Sequence, residues 1–107
     1  MAQRRGFLVV FAPETVDHMD AIDRKHHRLI KRAIDEQLTY TPERPTRNRK
    51  PLDDPGPSDA SWELRCGQQN RFRVFYDVDG IAREVQVLAI GVKERDRLFI
   101  GGKEYTP

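Results

Sequence analysis

Three β-rich runs between residues 62 and 100 constrain the fold of this chain more than any other feature. The runs cover residues 62–65, 71–78 and 84–92, and turn residues separate them. Asp79-Gly80 lies between the last two runs and is a strong hairpin signal, because a type I′ turn needs positive φ at both central residues. We therefore expect an antiparallel meander that continues into residues 98–100.

Side-chain alternation along these runs separates an apolar face from a charged face. In the second run, one face carries Phe72, Val74, Tyr76 and Val78, and the other carries Arg71, Arg73, Phe75 and Asp77. In the first run, Trp62, Leu64 and Cys66 share one face, and Glu63 and Arg65 share the other. The simplest pairing of the two runs gathers Arg65, Arg71 and Arg73 on one solvated face, which is a candidate anion site.

The residues before the meander predict a strand and two helices. Residues 7–11 form a short, continuous apolar run, which is typical of a strand buried on both sides. Apolar residues then recur every three or four positions, with a change of phase at 23–27, and so predict helices over 13–22 and 25–39. The expected fold class is α+β: an N-terminal strand and a helical hairpin packed on an antiparallel sheet of three to four strands.

Residues 41–61 hold five of the seven prolines, so little regular structure is expected there. Arg44, Arg47, Arg49 and Lys50 lie in this loop without an acid between them, which fits either a functional loop or a solvated linker. The length of 107 residues predicts a single domain, 1–107. The single cysteine and the lack of an apolar run of membrane-spanning length favour a cytoplasmic protein without a membrane partner.

Basic residues indicate a functional site in this sequence more strongly than potential metal ligands do. His18, His26 and His27 have no Cys, Asp or Glu at a recognisable ligand spacing, and no glycine-rich phosphate loop is present, so neither a metal nor a cofactor is predicted. The cations of the later segments are Lys50, Arg65, Arg71, Arg73, Lys93, Arg95 and Arg97. A meander brings these segments together, and such a cluster suits a nucleic-acid phosphate backbone, the alternative being scattered solubility charge.

The order of the predicted elements resembles the RelE/ParE superfamily of type II toxin–antitoxin toxins: a strand, two helices, a proline-rich basic loop and a meander. The segments that carry the resemblance are Asn48-Arg-Lys-Pro-Leu52, Trp62-Glu-Leu-Arg65, Arg73-Val-Phe-Tyr76 and Leu88-Ala-Ile-Gly-Val-Lys-Glu-Arg95. The resemblance implies a toxin that a cognate antitoxin protein neutralises. Its RelE-like members are endoribonucleases that cut messenger RNA in the ribosomal A site.

The same resemblance implies roles for individual residues in attack of a ribose 2′-hydroxyl on the adjacent phosphate. Lys50 matches a loop lysine that acts as general base or charge stabiliser, and Arg65 and Arg73 match arginines that hold the phosphate. Lys93 matches a basic residue that acts as general acid or charge stabiliser. The expected RNA-binding residues are Arg47, Arg49, Arg71, Arg95, Arg97 and Phe99. Phe99 stands where some relatives have a tyrosine that stacks on the substrate base, and Tyr105 could take that place if the tail folds back.

Three alternatives to the ribonuclease remain open at the level of sequence. ParE-like members share the fold, lack the nuclease residues and inhibit DNA gyrase. A degenerate or non-catalytic member would bind nucleic acid without cutting it. A structural domain without toxicity is the third alternative.

Overall fold

The computed structural model describes residues 5–107 as one sheet with two helices packed against one of its faces. The strands are β1 (Leu8–Phe11), β2 (Arg49–Pro51), β3 (Trp62–Cys66), β4 (Phe72–Asp79), β5 (Glu84–Glu94), β6 (Arg97–Ile100) and β7 (Lys103–Glu104). The helices are α1 (Thr15–Asp20) and α2 (His27–Leu38). This α+β architecture agrees with the expected fold class, and both helices lie inside the predicted ranges.

The sheet is mostly antiparallel and centred on β5. Its strand order is β2-β3-β4-β5-β6-β7, and β1 pairs in parallel with β5. β5 is 11 residues long, so β1 pairs with its first half and β6 pairs with its last residues. The expectation of three to four strands is wrong, because residues 5–107 form seven. Two of the additional strands, β2 and β7, lie in the segments that were expected to be a loop and a tail.

Observed strand register confirms the predicted division into faces. Leu64 pairs with Val74 and Arg65 pairs with Arg73, so the apolar residues of both strands share one face and the arginines share the other. The β4–β5 hairpin is confirmed, but its predicted type I′ turn is wrong. The loop has four residues, and the positive φ falls at Arg83. Asp79 shapes this loop, because its carboxylate accepts the N–H groups of Ile81 and Ala82 at 3.1 and 3.0 Å.

β1 is an edge strand rather than one buried on both sides. Leu8 is 66% exposed and Phe11 is 45% exposed, since β5 is the one strand that pairs with β1 in the described chain. The prediction for residues 7–11 is therefore right about the strand and wrong about its burial. Because a continuous apolar run is the same in a central and an edge strand, its composition alone does not separate the two positions.

The main core lies between the helices and one face of the sheet, which we call the helix-covered face. α2 contributes Ile30, Ile34 and Leu38 to this core, and the strands contribute Leu64, Phe72, Val74, Tyr76, Val85, Val87 and Ile90. The buried Tyr76 hydroxyl donates to the Pro42 carbonyl at 2.7 Å, which fixes the loop that follows α2. Within residues 5–107, no helix is long and apolar enough to cross a membrane.

Candidate nucleic-acid interface

The sheet face opposite the helices has an apolar end and a basic end. At the apolar end, Phe75 and Ala89 pack against Ala60, with Leu52 and Leu98 around them. The chain between β2 and β3 supplies Leu52 and Ala60 and so covers this end. The other end is formed by four side chains from β2, β3 and β4, which we call the basic end: Lys50, Glu63, Arg65 and Arg73.

Glu63 connects the three cations of the basic end. Its side chain is 9% exposed, and its Oε1 lies 3.3 Å from Arg65 Nε and 3.9 Å from Lys50 Nζ. Its Oε2 lies 3.3 Å from Arg73 Nη1. Strand register accounts for the cluster, because Lys50 pairs with Glu63 and Arg65 pairs with Arg73. One carboxylate neutralises one of three cations, so the basic end keeps an excess of positive charge that favours a bound anion.

Arg73 is the best-fixed cation of this group. Its side chain is 13% exposed, and its Nε donates to the Asn70 carbonyl at 2.9 Å in addition to the contact with Glu63. The tight turn before β4 holds that carbonyl in place, with φ of +58° at Gln69 and +54° at Asn70. Gly67 opens the turn at φ +82°, and a Cβ there would lie 2.6 Å from the Phe72 ring. The turn therefore aims the guanidinium and limits what can replace Gly67.

A cavity of about 620 Å³ beside Arg73 adds further cations to the basic end. Its lining residues are Gln69, Arg71, Arg73, Lys93, Glu94, Arg95 and Asp96. The Lys93 N–H donates to the Arg71 carbonyl at 2.7 Å, which joins the end of β5 to the start of β4. The structure thus brings Lys50, Arg65, Arg71, Arg73, Lys93 and Arg95 together, as the sequence predicts.

Phe99 and Arg97 lie apart from the basic end, contrary to expectation. Leu98 pairs with Lys93 and shares its face, so the neighbouring Phe99 points to the opposite face. There it lines a cavity with His18 and Ile22 from the helical side. Arg97 shares the face of Phe99, and its Nη1 lies 3.8 Å from Glu104. Neither side chain is placed to contact an RNA bound over Arg73.

Arg49 is an internal residue, which also departs from its predicted place on an RNA-binding surface. It is 5% exposed, and its Nη1 donates to the Gln37 carbonyl at 2.5 Å and also to the Thr41 carbonyl. Burial lowers the pKa of this guanidinium from its ordinary value. The side chain ties the end of α2 to the loop before β2. Arg47, by contrast, is exposed at the turn before β2.

Tyr105 lies on the same face as the basic end because the tail does fold back. Its N–H donates to the Leu98 carbonyl at 2.8 Å, which extends the pairing of β6 with β7 by one residue. Alternation then places Tyr105 in one row with Leu98 and Lys93. Two strand spacings, about 10 Å in all, separate the backbones of Tyr105 and Lys93.

Glu63 is the member of the basic end that the sequence analysis did not predict. Side-chain alternation along the strand predicted that Glu63 shares the face of Arg65, but it did not predict that the carboxylate would hold the cations together.

Cys66 is free and partly buried, and desolvation raises the pKa of its thiol to about 11. Among residues 5–107, no group of three His, Cys, Asp or Glu residues could hold a metal ion. No model of a known protein family matches the chain, and no curated protein matches it either.

Proposed function

We propose that this protein is a RelE-like toxin of a type II toxin–antitoxin system that cuts messenger RNA on the ribosome. The observation that carries the proposal is the convergence of Lys50, Arg65 and Arg73 around Glu63, with Lys93 beside them. These are the positions that the RelE/ParE resemblance assigns to the reaction. The proposed partners are therefore the ribosome, its messenger RNA and a cognate antitoxin protein.

The positions of the cations support such a reaction. Arg73 lies centrally, with Arg65 on one side and the Lys93 cavity on the other, so a phosphate above Arg73 would contact both arginines. Arginine donors aimed at the phosphoryl oxygens would stabilise the extra charge of the transition state. Lys50 and Lys93 stand on opposite sides of Arg73. With RNA bound over Arg73, one lysine would lie towards the attacking 2′-hydroxyl and the other towards the leaving 5′-oxygen.

The test is induced expression of the wild-type protein and of Arg73→Gln in growing cells. The proposal predicts growth arrest and messages cut within codons on translating ribosomes for the wild type, and neither effect for the variant. Intact messages together with a loss of DNA supercoiling would assign the toxin to gyrase inhibition. Arg5→Gln removes an exposed cation outside the basic end and serves as the matched control.

A second function, RNA binding without cleavage, is favoured by the position of Phe99. The aromatic residue that matches the stacking position lies on the helix-covered side, and a stacked base is part of the substrate geometry that the resemblance implies. A purified protein that protects A-site codons from other nucleases, yet leaves the message uncut, would establish this function. Cleavage by the wild type would exclude it.

A further inference from the structure

A second group of cations surrounds the start of α2. Five exposed cations fall within nine residues that contain no acid: Arg24, Lys25, Arg28, Lys31 and Arg32. The opposite side of α2 packs on the sheet through its buried residues, so these cations face away from the sheet and from the basic end. The whole chain has a net charge of only +2, and this excess of positive charge is therefore local.

Helical spacing aligns these cations along an open groove. Arg28 and Lys31 are three residues apart on α2, which places them on one side of the helix. Arg24 lies in the 3-10 turn Arg24–His26 that leads into α2, and it lines the same groove. The groove has a volume of about 690 Å³, and its lining residues are Arg24, His27, Arg28, Lys31, Arg32, Asp35 and Glu36. Its lining residues in the described chain are all charged residues or histidine, so no apolar residue lines it.

The same cations are poorly placed for the stability of α2. Arg28 and Arg32 are like charges four residues apart on α2, and such a pair destabilises a helix by about 0.2–0.5 kcal/mol. The N-terminus of a helix favours acids, yet the first turn of α2 has none. Arg32 forms an ion pair with Glu36 at 3.8 Å, but both side chains are largely exposed. A ligand that neutralises these cations would relieve the repulsion between Arg28 and Arg32.

We propose that this groove binds the phosphate backbone of a structured RNA, as a contact separate from the basic end. Protein–protein interfaces have a core depleted of charge, whereas nucleic-acid interfaces are polar and strongly positive. The groove matches the second kind. From Arg24 to Arg32 the chain rises about 13 Å, at about 2.0 Å per residue in the 3-10 turn and about 1.5 Å per residue in α2. In double-stranded DNA each strand carries one phosphate for about every 3.4 Å of the helix axis, so a surface of this length spans several phosphates of a duplex.

The experiment measures binding of a blunt RNA duplex of about 16 base pairs, the length that a duplex-binding domain spans, by fluorescence anisotropy across a salt series. The test variant is Arg24→Gln/Arg28→Gln/Lys31→Gln, in which glutamine keeps a good helix propensity. We expect its Kd to rise at least about tenfold at 100 mM salt and its log–log salt slope to fall by about three. Relief of like-charge repulsion should also raise its melting temperature.

The matched control is Arg5→Gln/Arg44→Gln/Lys103→Gln, which removes three exposed cations outside both basic surfaces. Both triple variants lower the net charge from +2 to −1, so a difference between them reports position and not total charge. We expect the control to change the Kd by less than about threefold, since those side chains contact no phosphate. Equal weakening by the two triple variants, or no weakening by the α2 variant, would overturn the proposal.

Two further measurements, one with a variant and one with a competitor, distinguish binding in the groove from binding at the basic end and from binding of an acidic protein. Arg65→Gln/Arg73→Gln alters the basic end alone, and the proposal requires this variant to keep duplex binding whether or not the protein cuts messenger RNA. Duplex binding that disappears in this variant would overturn the proposal. Polyglutamate with the same number of charges as the duplex serves as competitor. Displacement of the duplex at equal charge concentration would assign the groove to an acidic protein instead.

Discussion

Glu63 is both a structural partner and an internal competitor for the anion that the basic end would bind. Its carboxylate holds Arg65 and Arg73 at 3.3 Å and Lys50 at 3.9 Å, and these are the groups that would hold a phosphate. Charged partners make hydrogen bonds roughly twice as strong as neutral ones, so the carboxylate keeps both guanidinium groups oriented before RNA arrives. A single side chain thus sets both the geometry and the net charge of the site.

Replacement of Glu63 by glutamine is expected to trade stability for anion affinity. Glutamine keeps the shape but removes the charge, which leaves three cations to repel one another. We expect the free energy of unfolding to fall by about 1–3 kcal/mol, as measured by urea denaturation. The Kd for a short single-stranded RNA should fall several-fold at low salt. Unchanged stability together with unchanged affinity would show that Glu63 does not organise the cations.

Arg49 should be a determinant of stability and not of RNA binding. Arg49→Ala removes the donors to the carbonyls of Gln37 and Thr41 and leaves a gap under the end of α2. We expect a loss of about 2–4 kcal/mol in unfolding free energy. Arg47→Ala, an exposed neighbour, should change it by less than about 0.5 kcal/mol. The reverse order of the two urea midpoints would contradict the buried placement of Arg49.

Stability should decline on the alkaline side because the partly buried Cys66 thiol and the buried Tyr76 phenol are favoured in their neutral forms. Desolvation raises the pKa of Cys66 to about 11 and raises that of Tyr76 as well. A pKa that is higher in the folded state contributes stability that is fully present below the unfolded value, about 8.5 for cysteine and 10 for tyrosine. That stability is lost as pH rises towards the folded value. Urea midpoints at pH 8 and 10.5 should therefore differ less in Cys66→Ala than in the wild type.

At the scale of elements, the odd or even position of a residue along its strand decides which face its side chain occupies, and therefore which residues can share a site. The β6–β7 hairpin turns Leu98 and Tyr105 to the face of Lys93 and turns Phe99 away from it. A shift of one residue along a strand moves a side chain to the other face. The resemblance matched Phe99 by its position in the chain, and a match of that kind does not indicate that its side chain lies on the helix-covered face.

The hairpin predicts that Tyr105, and not Phe99, contacts a base of bound RNA. Stacking of a base on an aromatic side chain contributes about 1–3 kcal/mol, so Tyr105→Ala should raise the Kd for a short single-stranded RNA by about fivefold or more. Phe99→Leu should leave that Kd within about twofold, since its ring faces α1 across the cavity that contains His18. Loss of RNA affinity in Phe99→Leu without loss of stability would contradict this assignment.

The meander and its two faces could be predicted from sequence, because apolar and polar side chains alternate with a period of two residues. This alternation can be recognised even when the strand boundaries are not known exactly. Arg65 and Arg73 were placed correctly for that reason. Arg49 was not, because a short strand inside a proline-rich loop leaves no alternation to read, and its burial depends on the distant end of α2. The edge position of β1 depends likewise on pairing across the chain, which local composition does not encode.

At the scale of the whole molecule, a nearly neutral chain carries two separate positive surfaces. The net charge is +2 from 19 cations and 17 acids, yet Lys50, Arg65 and Arg73 collect on one side and the cations of α2 on the other. The sheet and its core keep these surfaces apart. A folded RNA that surrounds the protein, rather than a single strand on one face, would engage both at once.

The most direct test of the proposed function is primer extension on a message in a reconstituted translation system, with purified wild-type protein and Arg65→Gln/Arg73→Gln. The proposed function predicts a new 3′ end within the A-site codon, dependent on ribosomes and reduced by at least about a hundredfold in the double variant, since each lost transition-state donor costs about 2.7–4 kcal/mol. An uncut message with the wild type, or equal cleavage by the double variant, would contradict it.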